Sequence, residues 1–294
     1  MVYPDTYYRR TMTDQVVRPA LSGTVECDAV IIGGGLAGLS TALQLARAGR
    51  SVVVLEAESI GFGASGRNGG FVSAGYATGE DNIARMAGPA VAHDLYRLSM
   101  EGVEFVRDNI RTLGLSDADL RSGLVSVLRY DDGARLRADV EEARRRYGED
   151  IAYMDRDAVR AVLKSDRYHQ AVRHGAAFHM HPLNYLRGIA REIERLGGRI
   201  FEQSTATGSE LDEAEKRVRT AGGMVTARDV VFATGGYTGS LNARLRRAFL
   251  PIATYVMVSE EAPDLLASAI ATRDAIGDNR RAGDYYRLVD DGRR

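Results

Sequence analysis

The 294-residue chain carries one cysteine, Cys27. A single thiol excludes a disulfide framework, which fits a reducing cytosol. Neither sign of charge is in excess: 39 Lys and Arg against 40 Asp and Glu leave a net −1. No broad field therefore draws the chain to nucleic acid or to an anionic membrane surface. The opening residues, MVYPDTYYRRTMTDQ, lack the apolar core of a signal peptide, so a cytosolic location is expected rather than export. Fixed-period repeats and low-complexity tracts are absent. What is left is an ordinary globular composition, 45% apolar and 27% charged, in a length that holds one large domain or two ordinary ones.

The informative stretch is residues 27–56, CDAVIIGGGLAGLSTALQLARAGRSVVVLE. An apolar run at 29–32 meets a glycine knot, Gly33-x-Gly35-x-x-Gly38. An apolar helical stretch then runs to Gly49, and a β-branched run at 52–55 ends on Glu56. Strand, tight turn, helix, strand and acid within about 30 residues is the pattern of a dinucleotide-binding unit. Gly33 permits the sharp exit from the strand, Gly35 lets a pyrophosphate approach the backbone, and Gly38 lets helix and strand pack closely. The helix N-terminus offers free N–H groups to phosphate. Glu56 is placed to accept hydrogen bonds from a ribose diol, and it would repel a ribose phosphate. A membrane helix is the competing reading of this uncharged run, but three consecutive glycines interrupt it. A phosphate loop of nucleotide hydrolases is excluded, because no Gly-Lys-Ser/Thr follows.

The remaining pattern predicts a polar lead over 1–26, a glycine-dense loop over 58–76, and a long amphipathic helix over 89–113. A strand is expected at 123–129 and a solvated charged helix at 134–148. Another strand is expected over 175–182, ending at Pro182, then a helix closed by Gly197 and Gly198 and a short strand at 199–202. Residues 216–236 read as a hairpin around Gly222-Gly223 followed by a buried strand into a second glycine turn. Strands are expected again at 253–261 and at 284–289. The latter meets a turn signal, Asp290-Asp291-Gly292, without a return strand, so the chain is expected to be truncated at its C-terminus. His169, His174, His179 and His181 crowd together, and His179 and His181 would share one strand face. No carboxylate pair or cysteine completes a metal site beside them, so no metal is expected. Lys164 reads as a helix-end cation.

Two further stretches join the glycine knot as binding candidates. Residues 63–70, Gly-Ala-Ser-Gly-Arg-Asn-Gly-Gly, follow the acid-bearing strand at the edge where ligands of open α/β sheets bind. They present Ser65, Arg67 and Asn68, although an ordinary surface loop has the same composition. The strand DVVF, 229–232, ends in Ala233, Thr234 and Gly235, small residues that let backbone touch a nucleotide from the other side. Together these stretches resemble the FAD-dependent amine and amino-acid oxidase family, the group of D-amino acid oxidase, glycine oxidase and sarcosine oxidase. The string VLEAESIGFGASGRNGG is most similar to γ-glutamylputrescine oxidases, as are the YYRR lead and the HPLNYLRGIA stretch.

The resemblance implies an α/β fold: a Rossmann-like FAD-binding domain with a parallel sheet, plus an α+β substrate domain with an antiparallel sheet. On this basis 27–80 and about 182–245 form the FAD domain after the 1–26 lead. About 81–181 and 246–294 form the substrate domain, incomplete at its C-terminus. It implies that Gly33, Gly35, Leu36, Ala37 and Gly38 meet the pyrophosphate and that Glu56 holds the adenosine ribose. Ser65, Arg67, Asn68, Gly69 and Gly70 would lie by the pyrophosphate, ribityl chain and flavin ring. Ala206 would meet adenine, and Ala233, Thr234 and Gly235 the nucleotide's other side. Tyr255, Tyr286 and Arg287 would wall the substrate pocket, with Arg287 able to grip a carboxylate; packed tyrosines and a surface arginine are the alternative. The implied reaction is hydride transfer from a small-molecule amine to the flavin, with dioxygen as acceptor and hydrogen peroxide as product, and no side-chain nucleophile. An NAD-linked dehydrogenase and a truncated, non-catalytic FAD-binding remnant are the competing expectations.

Overall fold

A computed structural model describes residues 3–211, 213–280 and 283–294. In chain order the helices are α1 (Tyr7–Thr11), α2 (Leu36–Arg47), α3 (Glu80–Ala87), α4 (Pro89–Thr112), α5 (Gly133–Tyr147), α6 (Arg156–Val162), α7 (Pro182–Arg195), α8 (Ala243–Ala248) and α9 (Pro263–Ala269). The strands are β1 (Gly23–Ile32), β2 (Val52–Leu55), β3 (Phe71–Val72), β4 (Arg121–Val127), β5 (Ile151–Met154), β6 (Ala171–His179), β7 (Arg199–Phe201), β8 (Gly208–Glu210), β9 (Lys216–Arg219), β10 (Gly223–Phe232), β11 (Ala275–Asp278) and β12 (Tyr285–Tyr286). The chain divides into two compact units, Met1–Asn68 with His181–Val256, and Gly69–Met180 with Met257–Arg294.

The first unit is built on a six-stranded sheet in the order β7-β2-β1-β10-β9-β8. Strands β7, β2, β1 and β10 are parallel, and β9 returns antiparallel through the Gly222-Gly223 hairpin. All four residues of β2 are buried, as expected of a parallel strand covered on both faces. Alternation along β1 divides its side chains. Val30 and Ile32 join Leu21, Val53, Leu55, Val218, Val225 and Ala227 in one core. Ile31 faces the other way, against α2, whose Leu39, Ala42 and Leu43 are fully buried. Helix α2 stops at Gly49, which takes the left-handed φ of +75° that an L side chain avoids. The last residues of β10, expected to be buried, are only half-buried.

The lead is not a loose tail. Residues 7–11 form a helical turn capped by Thr6, and the chain then runs along α7 before entering β1 at Gly23, four residues earlier than the pattern suggested. His181 caps α7: its Nδ1 accepts the Asn184 N–H at 3.1 Å, while Nε2 lies 3.0 Å from the Thr11 hydroxyl. Thr13 N–H donates to Asn184 Oδ1 at 3.1 Å, and buried Arg18 pairs with Glu194 at 2.7 Å. The YYRR lead and the HPLNYLRGIA stretch, 171 residues apart, are thus one packed assembly.

The second unit has a mixed sheet in the order β12-β11-β4-β6-β3, with β5 also on β6. All its pairs are antiparallel except β11 with β4. Val125, Val127, Val159, Leu163, Tyr168, Ala171 and Ile276 form its core. The amphipathic helix expected at 89–113 is α4, and the charged helix is α5, of which only Val140 is buried. Lys164 reaches the carbonyls of Arg160 and Ala161 at 3.1 and 3.3 Å, the helix-end cation of α6.

Three sequence expectations are corrected. The strand at 175–182 spans Ala171–His179 instead and stops before Pro182, which opens α7. His179 and His181 therefore sit on different elements and share no strand face. Residues 253–261 form no strand: Tyr255 is 85% exposed and Met257 93%. Alternation is a local pattern, whereas a strand exists only through a paired neighbour, and no described residue pairs with this segment. Of 284–289 only Tyr285–Tyr286 is strand. It pairs antiparallel with β11, and Asp290–Gly292 closes as a 3-10 turn.

Candidate cofactor site

The carboxyl ends of β7, β2, β1 and β10 lie along one edge of the first unit's sheet. From β1 the chain moves outward one way to β2 and β7, and the other way to β10. The crevice between β1 and β10 is therefore a topological switch point, where ligands of open α/β sheets bind. Gly33 donates to Leu55 O at 2.8 Å, and Ala233 donates to Ile32 O at 2.9 Å, so the two glycine turns leave the sheet side by side. Gly33 adopts φ +116°, and a Cβ there would lie 2.5 Å from Ala233 O. A Cβ on Gly38 would overlap Gly33 O. Both glycines are thus required by the protein's own backbone.

Glu56 turns toward this bend. Its Oε2 accepts Gly34 N–H at 2.6 Å and its Oε1 accepts Glu58 N–H at 2.9 Å. Burial pushes its carboxyl above the usual carboxylate range, against the pull of the two amides. Each oxygen keeps a further lone pair for a hydroxyl donor. Gly34 was overlooked by a reading built on Gly33, Gly35 and Gly38; the unbroken triplet of glycines was its only signal.

The glycine-rich loop docks on the same turn. Gly61 N–H donates to Gly34 O at 3.1 Å, and Leu36 N–H donates to Ser65 Oγ at 2.9 Å. Arg67 lies over the Phe62 ring at 5.3 Å, donates to Gly63 O at 3.3 Å, and reaches the Tyr237 hydroxyl at 3.2 Å. Asn68 is exposed and donates to the carbonyls of Ala64 and Ser65 at 3.1 and 2.9 Å. Several of the loop's glycines approach protein rather than leaving space. A Cβ on Gly66 would overlap Gly61 O, and one on Gly61 would meet Leu183 at 2.8 Å. Gly69 and Gly70 belong to the second unit; there Gly69 lies against the Tyr285 ring, and a Cβ on Gly70 would overlap Met180 O.

The other candidates are distributed unevenly. Thr234 and Gly235 follow Ala233 at the crevice, with Thr234 Oγ1 2.6 Å from Thr238 Oγ1. Ala206 is half-buried against the core that β1 and β2 share. Tyr286 and Arg287 lie in the second unit, where the Tyr286 hydroxyl is 3.2 Å from that of Tyr168. Arg287 lies 2.9 Å from both His179 Nδ1 and Met180 O. His179 donates through Nε2 to Arg273 O at 2.9 Å and accepts the Arg287 N–H at Nδ1, which is the hydrogen bonding of the neutral ring, and burial with Arg287 nearby lowers its pKa. Tyr255 lies in the first unit and is 85% exposed. Among the described residues no group of His, Cys, Asp and Glu is arranged to hold a metal ion, and no helix is long and apolar enough to cross a membrane.

The crevice fits the diphosphate and ribose of a dinucleotide. At the start of α2, Leu36 and Ala37 are exposed, and no described residue bonds the Ala37 amide. The adjoining turn is free of side chains, and a carboxylate stands at the neighbouring strand end. The chain matches the family described as DAO, FAD dependent oxidoreductase, over residues 28–294.

This chain belongs to the DAO family of FAD-dependent oxidoreductases.

FAD is the cofactor of this DAO family. The γ-glutamylputrescine oxidoreductase of Escherichia coli K12 is 36% identical over 294 residues, 99% of this chain and 68% of that protein. Among solved structures, the L-proline dehydrogenase of P. horikoshii has a TM-score of 0.66 at 19% identity, covering 93% of this chain and 68% of that one. The L-amino acid deaminase of Proteus vulgaris, without its specific insertion, has a TM-score of 0.63 at 21% identity, covering 83% and 61%. These two likenesses establish the fold. The DAO chain described here thus spans about two thirds of the length of its E. coli relative.

Proposed function

We propose that this protein oxidises the carbon–nitrogen bond of a small amine or amino acid, in the manner the name of its E. coli relative suggests, with dioxygen as electron acceptor and hydrogen peroxide as product. The supporting observation is the convergence of Gly33, Gly34, Glu56, Ser65 and Ala233 on one switch-point crevice. In this reading Gly35, Leu36, Ala37 and Gly38 receive the FAD pyrophosphate at the α2 N-terminus, and Glu56 takes the ribose hydroxyls. Ser65, Arg67 and Asn68 border the diphosphate. Ala206, Ala233, Thr234 and Gly235 line the nucleotide's other side. When bound, FAD would supply a two-electron acceptor for the hydride of the substrate's α-carbon, one that dioxygen can reoxidise.

The chain's own residues bind and orient. The first-turn amides of α2 and the Arg67 guanidinium neutralise the diphosphate, and the glycine bend lets it come within hydrogen-bond distance of the backbone. Arg287, whose guanidinium His179 and Met180 O orient, is assigned to a substrate carboxylate, with Tyr286 beside it. The reaction is placed in the cytosol. The test is anaerobic. Protein reconstituted with FAD should be yellow, should bleach on addition of γ-glutamylated or simple primary amines, and should release peroxide when air is admitted. A reconstituted yellow protein that no amine or amino acid bleaches, or one that turns over only with a nicotinamide, would overturn the proposal.

A further inference from the structure

The N-terminal lead touches the cofactor loop at two points. The first is Tyr3, whose hydroxyl donates to Gly61 O at 3.0 Å and whose ring meets Phe62 edge-on, centroids 5.7 Å apart at 86°. Phe62 in turn carries the Arg67 guanidinium on its face. Gly61, which receives Tyr3 at its carbonyl, donates its N–H to Gly34 O, and Gly34 N–H donates to Glu56. Residue by residue, these contacts link Tyr3 through the loop to the glycine turn and its acid. A Cβ on Gly66 would come within 2.8 Å of the Tyr3 hydroxyl, so the ring fills the space behind the loop. The second point is Glu202, which is buried. Its Oε2 accepts Arg18 N–H at 3.2 Å and its Oε1 accepts Ile60 N–H at 2.8 Å, tying the lead to the residue before Gly61. Burial pushes the Tyr3 hydroxyl up to about 12, so it stays a donor at every physiological pH.

We propose that Tyr3 is a positioning residue of the cofactor site, holding loop 61–67 and the resting place of Arg67 against the dinucleotide turn. This rests on the FAD reading of the crevice and adds to it a part of the chain that lies outside the dinucleotide motif. The lead is anchored independently, through Thr11 with His181, Thr13 with Asn184 and Arg18 with Glu194, so losing Tyr3 frees the loop without unmooring the strap.

The test uses the full chain with Tyr3→Phe and Tyr3→Ala, and with Arg10→Ala as a control, since the exposed Arg10 side chain pairs, among the described residues, with Asp5 alone. FAD dissociation constants are read by flavin titration, and amide exchange is followed for peptides covering 60–68 and 182–195 without added FAD. Tyr3→Phe should weaken FAD binding about 3- to 10-fold, as expected for one lost hydrogen bond. Tyr3→Ala should weaken it further and speed exchange in 60–68 while 182–195 keeps its protection; Arg10→Ala should change neither. Wild-type affinity and wild-type exchange in Tyr3→Ala would overturn the proposal. So would faster exchange in both peptides, which would mark Tyr3 as a general stabiliser of the fold. A wild-type chain that binds no FAD, with loop exchange still responding to Tyr3→Ala, would instead defeat the flavin reading and leave the loop-positioning role standing.

Discussion

Glu56 Oε2 accepts the backbone N–H of Gly34 at 2.6 Å, so the acid at the end of β2 is already joined to the bend after β1. This bond holds the carboxylate beside the glycine turn rather than in bulk water. Glu56→Ala deletes an acceptor for two amides and leaves Gly34 N–H without its partner. A hydrogen bond to a charged group is worth about 1.5–3 kcal/mol, so FAD affinity should fall on the order of 10- to 100-fold. Glu56→Gln, which keeps one oxygen acceptor, should fall between. Flavin titration decides, and equal affinity in all three proteins would remove Glu56 from the site.

Two glycine-to-alanine changes should act in opposite directions. Gly38→Ala drives a methyl into Gly33 O, a backbone atom that cannot yield cheaply. Overpacking of this kind costs about 1–3 kcal/mol and should also abolish the yellow colour on reconstitution. Gly102, inside α4, has no atom within 4 Å of its would-be Cβ and no left-handed φ. Gly102→Ala should therefore stabilise the protein by about 0.4–1 kcal/mol through helix propensity and a less disordered unfolded state. Urea melts of the two variants test both signs.

Stability should fall as the pH drops below about 6.5. Burial lowers the folded-state pKa of both His174 and His179 from their ordinary 6.5, and for His179 the nearby Arg287 and Arg121 add to it while Arg273 O and Asp119 oppose it. The sign follows from linkage. Above 6.5 neither state binds the proton; below it the unfolded chain does and the folded chain does not, so acid favours unfolding. Each histidine contributes up to about 1.4 kcal/mol per pH unit in that window. His179→Gln, which offers an amide donor to Arg273 O, should flatten the slope in denaturant melts between pH 5 and 7. An unchanged slope would mean that His179 is protonated in the native state.

Cys27 should be a quiet thiol in the native protein. It lies within β1, and burial pushes its pKa up to about 11, so little thiolate exists at pH 8. Alkylation should be slow in buffer and fast in denaturant, with one equivalent incorporated. Because Cys27 is the only cysteine, the labelling rate then reports unfolding of the parallel sheet. Rapid native labelling would show that β1 opens locally.

The parts of this fold legible in the sequence are those with a local physical cause. The β1–α2–β2 unit announces itself because β-branched runs, a glycine bend and a 3.6-residue apolar period are each set within a few residues. The hairpin at Gly222-Gly223 and helices α4, α5 and α7 follow the same logic. The candidate residues Gly33, Gly38, Glu56, Ser65 and Ala233 were likewise legible, and they meet at one crevice.

What only the tertiary structure decided is pairing across long separations. Composition shows that loop 61–70 is rich in glycine; only packing shows that Gly66 and Gly70 lie against carbonyls of Gly61 and Met180. The alternation at 253–261 looks like a strand, yet a strand needs a neighbour's backbone, which no local pattern supplies. His179 and His181 are two residues apart in the chain, but one ends β6 and holds Arg287, while the other caps α7 and holds the N-terminal lead. Tyr3 carries no motif, and its bond to Gly61 spans 58 residues. Backbone propensity acts over a few residues, whereas burial and hydrogen-bond satisfaction are settled by whatever the whole chain brings together, and the glycine-rich loop of this protein is held by the second kind of force.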